Sequence, residues 1–159
     1  MTTTPAEGLL ALAMSAGATV TTAESCTGGM VAAAITDVAG SSAIFERGFV
    51  TYSNQAKIDM LGVSPATLDA HGAVSEEVAR EMALGARAAA AASVAVSISG
   101  IAGPGGSEFK PEGRVCFGVA TAQGVETKTI EFGARGRAQV RRAARDEALS
   151  LLTEALRQL

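Results

Sequence analysis

The sequence predicts an α/β protein, a three-layer α/β/α sandwich around a mixed, mostly parallel five-stranded sheet. Three observations favour this fold: strand-like segments alternate with helix-like segments, glycine-containing turns separate them, and the last two strand-like segments follow each other after a short turn. Alternating strands and helices give parallel neighbours, whereas a hairpin adds an antiparallel strand. At a length of 159 residues we expect one domain spanning residues 1–159.

The N-terminal part is predicted to form a helix, then a strand, a second helix and an extended segment. Thr4-Pro5 followed by Glu7 is typical of a helix start, and Gly17 is typical of a helix end. The segments that follow are a strand over 18–23, a helix over 30–38 and an extended segment over 44–52.

The rest of the chain is predicted to add three strands and two long helices. Along 93–99 the alternation places Val94, Val96 and Ile98 on one face and small residues on the other, so both faces are expected to be covered or functional. The remaining segments are, in order, a short helix over 57–61, a turn beginning at Pro65, an Ala-rich helix from Ser75 to about 92, a glycine-rich loop over 100–113, a strand over 115–119, a turn at Gly124, a strand over 126–132 and a terminal helix over 136–159.

The composition argues against several classes of function. A formal net charge of −3 and a pI near 5.2 give no broad basic field, so no nucleic-acid partner is expected. Two cysteines and one histidine are too few for a disulfide framework or an ordinary zinc cluster, so we expect no metal and no cofactor. Because the sequence has no signal-like start and no apolar run of roughly 18 residues, we expect a cytoplasmic protein without membrane contact.

Ser25 is the candidate nucleophile. It follows a predicted strand and precedes Gly28, Gly29 and a helix, where a sharp turn holds the hydroxyl and backbone N–H groups point outward. The N–H groups near Gly28 and Gly29 are therefore candidate donors to an oxyanion. The alternative is that Ser25 caps the helix beside a flexible glycine pair, and local spacing does not decide between the two.

A nucleophilic serine needs a base, and Lys57 is the better candidate for it. Lys57 follows the second strand, so parallel pairing with the first strand brings it to the same sheet edge as Ser25. Burial would lower its pKa, whereas a solvated helix residue would have no such role. His71, next to Gly72, is interpreted as a helix-end or surface residue, and Cys26 as a buried thiol beneath the turn.

The terminal helix suggests an anion site. Positions 137, 141, 144, 148, 151 and 155 form one helical row whose last four residues are Ala or Leu, which predicts that this row enters the core. The row begins with Arg137 and Arg141, which are therefore expected to line a cleft and to bind an anion or a carboxylate. The 100–113 loop lacks the phosphate-loop pattern and is interpreted either as a lid over the pocket or as a long surface loop.

Four blocks of sequence occur in a recognisable order: TAESCTGG at 22–29, GFVTYSN at 48–54 followed by Lys57, SGIAGP at 99–104, and Arg137 followed by Val140-Arg141. Together they resemble the CinA C-terminal domain family, over nearly the whole chain. The chain is similar to the stand-alone form of that family, because no room is expected for a further N-terminal domain. The family's usual Gly-Asp-Arg is replaced here by Arg135-Gly136-Arg137, which leaves the partner of Arg137 open.

The resemblance implies roles for particular residues. Ser25 would be the nucleophile, Lys57 the base and Tyr52 an assisting hydroxyl. The matching blocks also imply substrate-binding residues, namely Thr27, Asn54, Ser99, Gly100, Gly103, Arg137 and Arg141.

The activity implied by the resemblance is hydrolysis of nicotinamide mononucleotide to nicotinate mononucleotide and ammonia, in pyridine-nucleotide recycling. The expected partner is this small nucleotide, with a homo-oligomer, a dimer first, as the expected assembly. One alternative keeps the fold without the chemistry, as a nucleotide-binding or regulatory module linked to competence or DNA damage. Another is a structural protein that binds partners through its Ala-rich helix faces.

Overall fold

The computed structural model describes residues 3–107 and 109–159, so position 108 of the predicted 100–113 loop and positions 1 and 2 lie outside the described residues. Within these ranges helices and strands alternate along the chain. The elements are α1 (Pro5–Ala16), β1 (Val20–Glu24), α2 (Met30–Thr36), β2 (Phe49–Val50), α3 (Asn54–Leu61), α4 (Pro65–His71), α5 (Glu76–Ala90), β3 (Val94–Gly100), β4 (Arg114–Thr121), β5 (Gly124–Glu131) and α6 (Arg137–Arg157), with a 3-10 turn at Ser41–Ala43.

Several helices start and end at the residues whose side chains or backbone suit those positions. The Thr4 hydroxyl accepts a hydrogen bond from the Glu7 N–H at the start of α1, and Gly17 ends this helix in the left-handed conformation with φ 62°. The Ser75 hydroxyl accepts from the Val78 N–H at the start of α5. These capping contacts join residues only a few positions apart, so the sequence alone shows them, and the bounds of α1 and α5 agree with the predicted ones.

The five strands form one mixed sheet in the order β2-β1-β3-β4-β5. β1 pairs in parallel with β2 and with β3, whereas β4 pairs antiparallel with both β3 and β5. Four strands therefore run in one direction and β4 runs against them, which confirms the predicted mixed, mostly parallel sheet. Because β2, β1 and β3 are parallel neighbours, their carboxyl ends meet at the same edge.

Helices cover both faces of the sheet, as a three-layer sandwich requires. Buried side chains of α1, α2 and α6 pack with Val94, Val96 and Ile98 on one face, and those of α3, α4 and α5 pack with Ala95 on the other. The alternation predicted for β3 is thus confirmed, and β1 is buried along its whole length.

Small residues allow α5 to approach both the sheet and α3 closely. A Cβ atom at Gly118 on β4 would lie 2.6 Å from the carbonyl oxygen of Ala79, and one at Gly85 would lie 1.9 Å from that of Leu61. Neither position could accept a side chain without movement of backbone. This contact fixes α3, whose first turns carry Lys57.

Two predicted segments form different elements in the structure. The extended segment over 44–52 forms a regular strand only at Phe49–Val50, with one further parallel bridge between Phe45 and Val20, and it lies at the edge of the sheet. The predicted turn at Pro65 is the first residue of α4, a position where proline's missing N–H is tolerated.

The predicted core-facing row of α6 is also partly wrong. The buried residues are Val140, Ala144, Ala148, Leu149, Leu152 and Leu156, so most of the buried stripe follows a spacing of four, and Leu151 and Ala155 of the predicted row are only partly buried. An i±4 row is inclined to the helix axis, which is the geometry of helices that cross their neighbours obliquely. As a result Arg137 is exposed and Arg141 is half-buried.

Candidate active site

The chain turns sharply at residues 25–29, here called the nucleophile turn, between the end of β1 and the start of α2. The Ser25 N–H donates to the Ile98 carbonyl of β3 at 2.9 Å, so this residue is fixed at the carboxyl edge of the central strands. The turn closes on itself where the Gly28 N–H donates to the Ser25 carbonyl at 3.0 Å. Gly28 and Gly29 have φ 56° and 106°, values that side-chain-bearing residues rarely adopt.

A lysine amine lies against the Ser25 hydroxyl. Lys57 Nζ is 3.0 Å from Ser25 Oγ and donates to the Thr51 carbonyl at 2.9 Å. Only 1% of Lys57 and 8% of Ser25 are exposed. α3 places the lysine because Ser53 caps its first turn and the side chain extends back toward the sheet edge.

Burial changes the acidity of this lysine. Removal from water disfavours the charged form and lowers the pKa of Lys57 from 10.5 to about 8, with a smaller opposing effect from Cys26. An appreciable fraction of the amine is then neutral near pH 7. Burial acts in the opposite direction on the neighbouring thiol and raises the pKa of Cys26 to about 11, so Cys26 is a protonated, inert thiol.

Ser25 and Lys57 lie at a cleft of about 340 Å³ at the carboxyl edge of the sheet. Its cationic lining residues are Lys57, Lys110 and Arg137, and no aspartate or glutamate is found among the described residues that line it. The whole chain carries a net charge of −3. Basic groups on the described lining of a cleft favour an anionic ligand.

The cleft brings together most of the residues singled out from the sequence. Those that line it are Ser25, Tyr52, Asn54, Lys57, Ser99, Gly100, Gly103 and Arg137. Those that do not are Thr27, Gly28, Gly29 and Arg141. The 100–113 loop supplies a wall of the cleft through 101–107 and Lys110.

The two glycine amides expected to hold an oxyanion are already occupied. The Gly28 N–H donates to the Ser25 carbonyl, and the Gly29 N–H donates to Glu24 Oε1 at 3.2 Å. In contrast, the N–H groups of Cys26 and Thr27 have no acceptor among residues 3–107 and 109–159. This corrects the donor assignment, because the amides of Gly28 and Gly29 are used to hold the turn in its conformation.

Arg141 contacts the back of the nucleophile turn instead of the cleft. Its Nε donates to the Cys26 carbonyl at 3.0 Å and its Nη2 to the Thr27 carbonyl at 3.4 Å. The expectation that Arg141 lines a cleft and binds an anion or a carboxylate therefore does not agree with its contacts. The oblique packing of α6 has turned this side chain toward the loop carbonyls.

Arg137 lies at the mouth of the cleft and joins two of its walls. One guanidinium nitrogen donates to the Gly103 carbonyl and another to the Tyr52 hydroxyl, both at 2.7 Å. The partner of Arg137, left open by the sequence, is thus a carbonyl and a phenol. Tyr52 is 60% exposed, and its hydroxyl contacts Arg137 and neither Ser25 nor Lys57.

Two residues that sequence reasoning did not single out belong to this region. Lys110 Nζ donates to the carbonyls of His71 and Val74, at 2.6 and 2.5 Å, which anchors the 100–113 loop to the end of α4. Glu24 is a fully buried carboxylate next to Ser25. A charged residue inside an otherwise apolar and hydroxylated strand was the available signal for Glu24, whereas nothing local marked Lys110.

The described residues offer no other candidate centre of this kind. Within them, no group of three or more His, Cys, Asp or Glu side chains is placed to hold a metal ion. His71 lies at the end of α4, where its Nδ1 is 3.6 Å from Glu77. In the same ranges no helix is long and apolar enough to span a membrane.

Comparison with known proteins identifies relatives of this chain in sequence and in fold. The model of the CinA C-terminal domain matches residues 2–156. The nicotinamide-nucleotide amidohydrolase PncC of Escherichia coli K12 is 64% identical over 137 residues, which cover 86% of this chain and 83% of that protein. A CinA-like protein of Shewanella loihica is 49% identical over 152 residues, 95% of this chain and 35% of the relative.

The solved structures give the same result. The competence/damage inducible protein CihA of Agrobacterium tumefaciens superposes with a TM-score of 0.92 at 46% identity, covering 96% of this chain and 93% of that one. A CinA superfamily protein of Klebsiella pneumoniae superposes with a TM-score of 0.93 at 36% identity, covering 98% and 97%. With a family match over nearly its whole length and this agreement in structure, the chain belongs to the CinA C-terminal domain family.

Proposed function

We propose that this protein hydrolyses the carboxamide of nicotinamide mononucleotide to give nicotinate mononucleotide and ammonia. The observation that carries the proposal is the contact between Lys57 Nζ and Ser25 Oγ, 3.0 Å apart and buried at the bottom of a cationic cleft. The 64% identity to a protein named nicotinamide-nucleotide amidohydrolase supports the choice of substrate.

Lys57 acts as the general base in the first step. Its neutral amine takes the Ser25 proton as Oγ attacks the carboxamide carbon, and the Thr51 carbonyl keeps the amine in place. The resulting ammonium then gives its proton to the departing nitrogen. The carbon–nitrogen bond breaks, ammonia leaves, and the nicotinoyl group remains as an ester on Ser25.

Water completes the reaction through the same lysine. The amine takes a proton from water as the water oxygen attacks the ester carbon, and the ammonium returns this proton to Ser25 Oγ when the ester bond breaks. The products are nicotinate mononucleotide and the free enzyme, with no net change at Lys57.

The Cys26 N–H is the proposed donor to the oxyanion in both steps. Its peptide carbonyl is that of Ser25, which accepts from the Gly28 N–H inside the turn. Because the N–H and C=O of a trans peptide point in opposite directions, the Cys26 N–H points out of the turn. Cys26 also lines the cleft, which supports this position for the donor.

Arg137 and Lys110 are the proposed partners of the substrate phosphate. Both line the cleft, and Arg137 is held at its mouth by the Gly103 carbonyl. Arg141 donates to the carbonyls of the nucleophile turn, so we do not assign it to the phosphate. A charged partner for a phosphate gives a short, charge-assisted hydrogen bond.

The substrate is a nucleotide of the cell interior, so we place the enzyme in the cytoplasm. We also keep the homodimer expected from the sequence as a proposal. Fractionation of cells and light scattering of the purified protein, against the 15.9 kDa of one chain, test these two points.

Ammonia release from nicotinamide mononucleotide, measured with purified wild type and Ser25→Ala, tests the function. We expect Ser25→Ala to release no ammonia while binding the nucleotide within about tenfold of wild type, since a nucleophile acts chiefly in the transition state. Ser41→Ala is the matched control, because Ser41 is 7% exposed and lies outside the cleft.

Two outcomes would contradict the proposal. Wild-type turnover by Ser25→Ala would remove Ser25 from the mechanism. Binding of the nucleotide by wild type without any ammonia release would favour the non-catalytic, regulatory alternative.

A further inference from the structure

Glu24 is a buried carboxylate that the catalytic steps do not use. It is the last residue of β1, it directly precedes Ser25, and none of its surface is exposed. It does not line the cleft, and among residues 3–107 and 109–159 it forms no ion pair with a lysine or arginine. A carboxylate is costly to bury without compensation, so its contacts indicate what it does.

Three backbone N–H groups compensate this carboxylate. Glu24 Oε1 accepts from Gly29 at 3.2 Å and from Val31 at 2.9 Å, and Oε2 accepts from Ala32 at 3.0 Å. These amides lie at the start of α2, whose N-cap residue, Gly29, offers no side chain to cap it. Negative charge at this end also suits the helix dipole.

Through these contacts one residue holds both ends of the nucleophile turn. The turn leaves β1 directly after Glu24, and its last residue, Gly29, returns to the Glu24 side chain. The start of the turn is fixed separately by the Ser25 N–H on the Ile98 carbonyl. Five residues between two such fixed points have little freedom.

Fixing the turn determines which groups stay free for chemistry. Of its five amides, those of Ser25, Gly28 and Gly29 are donated within the protein, and those of Cys26 and Thr27 are free among the described residues. Without the Glu24 anchor, the Gly29 amide would need another acceptor, and the turn could rotate both Ser25 Oγ and the Cys26 N–H away from their present directions.

We infer that Glu24 is a positioning residue, which sets the directions of the Ser25 hydroxyl and the Cys26 N–H by anchoring the nucleophile turn to the start of α2. The inference rests on the proposed amidohydrolase function. A residue that only capped α2 would contribute to stability and leave the turnover of the folded enzyme unchanged, so the two roles can be separated by experiment.

The test compares Glu24→Gln with Glu81→Gln. Glutamine has nearly the same shape, but its NH₂ group cannot accept, so Glu24→Gln must lose at least one of its three contacts with backbone N–H groups. Glu81 is the matched control, because its carboxylate accepts from the Ser64 N–H at 2.8 Å and the Thr67 hydroxyl at 2.6 Å at the start of α4 and does not line the cleft. Steady-state ammonia release and thermal unfolding are measured for wild type and both variants.

We expect Glu24→Gln to lower kcat about 100-fold with KM within about threefold of wild type, since a small displacement of reacting groups has an effect of this size. Glu81→Gln should keep the wild-type kcat, because Glu81 does not line the cleft. Glu24→Gln with wild-type kcat and only a lower melting temperature would overturn the inference.

Glu24→Asp decides the question if circular dichroism shows that Glu24→Gln does not fold. Aspartate keeps the charge but is one methylene shorter, so the carboxylate no longer reaches all three amides. A kcat within about threefold of wild type would then refute the positioning role. Failure of the proposed function is distinct from either result, because wild type itself would release no ammonia.

Discussion

Lys57 carries an amine that the fold takes out of water without giving it a carboxylate partner. Its two hydrogen-bond partners are the Ser25 hydroxyl and the Thr51 carbonyl, both neutral. A carboxylate in their place would stabilise the ammonium and raise the pKa, which would remove the base near neutral pH. The uncharged surroundings of Lys57 are therefore part of the proposed chemistry.

The pH dependence of kcat/KM tests this base. Because burial lowers the pKa of Lys57 to about 8, the neutral, active form increases with pH, so kcat/KM should rise through pH 8 and level off above it. Lys57→Arg should be inactive at every pH, since arginine stays protonated and cannot accept the Ser25 proton. A flat profile, or an active Lys57→Arg variant, would remove Lys57 from the role of base.

The proposed contact of Lys110 with the substrate phosphate can be tested by substitution. Lys110→Gln should raise KM for nicotinamide mononucleotide about tenfold and change KM for nicotinamide riboside much less, because only the nucleotide carries the phosphate. Lys128→Gln is the control, since Lys128 pairs with Glu147 away from the cleft. An equal effect on both substrates would show that Lys110 acts only by anchoring its loop to the end of α4.

Among the helices, α3 positions the Lys57 amine and α5 holds α3 in place. The two helices meet where Gly85 of α5 lies against the Leu61 carbonyl at the end of α3. The contact is between backbones, so neither partner can yield by changing a rotamer. The position of Lys57 thus depends on a glycine in another helix.

Gly85→Ala should destabilise the protein and lower kcat. The added Cβ would lie 1.9 Å from the Leu61 carbonyl oxygen, so α3 must move, and we expect a loss of about 2 kcal/mol in the free energy of unfolding. Gly8→Ala in α1 is the matched control: its Cβ meets nothing within 4 Å, and alanine there should be neutral or stabilising. Chemical unfolding and ammonia release measure both effects, and equal behaviour of the two variants would refute the packing argument.

At the scale of the whole molecule, the buried lysine makes stability depend on pH. The pKa of Lys57 is about 8 in the folded protein and 10.5 when exposed. Below pH 8 folding therefore buries a protonated amine, and the free energy of unfolding is lowered by the full amount of this penalty. Between pH 8 and 10.5 the unfolded chain binds more protons at this site, so the free energy of unfolding rises with pH.

Comparison of wild type with Lys57→Met isolates this effect. From pH 7 to pH 10, wild type should gain about 2 kcal/mol in the free energy of unfolding relative to Lys57→Met, as measured by chemical denaturation at each pH. Cys26, whose pKa is raised to about 11, acts in the opposite direction above pH 9 but is present in both proteins. A constant difference between the two would mean that Lys57 is not buried as a perturbed amine.

The sequence by itself determined the order of elements, the sheet type and the main candidates for chemistry. Helix caps such as Thr4 and Ser75, the alternation along β3 and the hairpin signal at Gly124 act over a few residues, so they can be read locally. The parallel pairing of β1 and β2 followed from their connection and predicted that Ser25 and Lys57 would meet.

Only the tertiary structure decided which atoms near the nucleophile are free. The inclination of α6 turned Arg141 away from the cleft, and the closure of the nucleophile turn used the amides of Gly28 and Gly29. The burial of Glu24 and the position of Lys110 likewise depend on residues far apart in the chain. The packing of separate elements determines which hydrogen-bond donors and acceptors meet. Local spacing can therefore identify the residues of a site, but it does not determine their contacts.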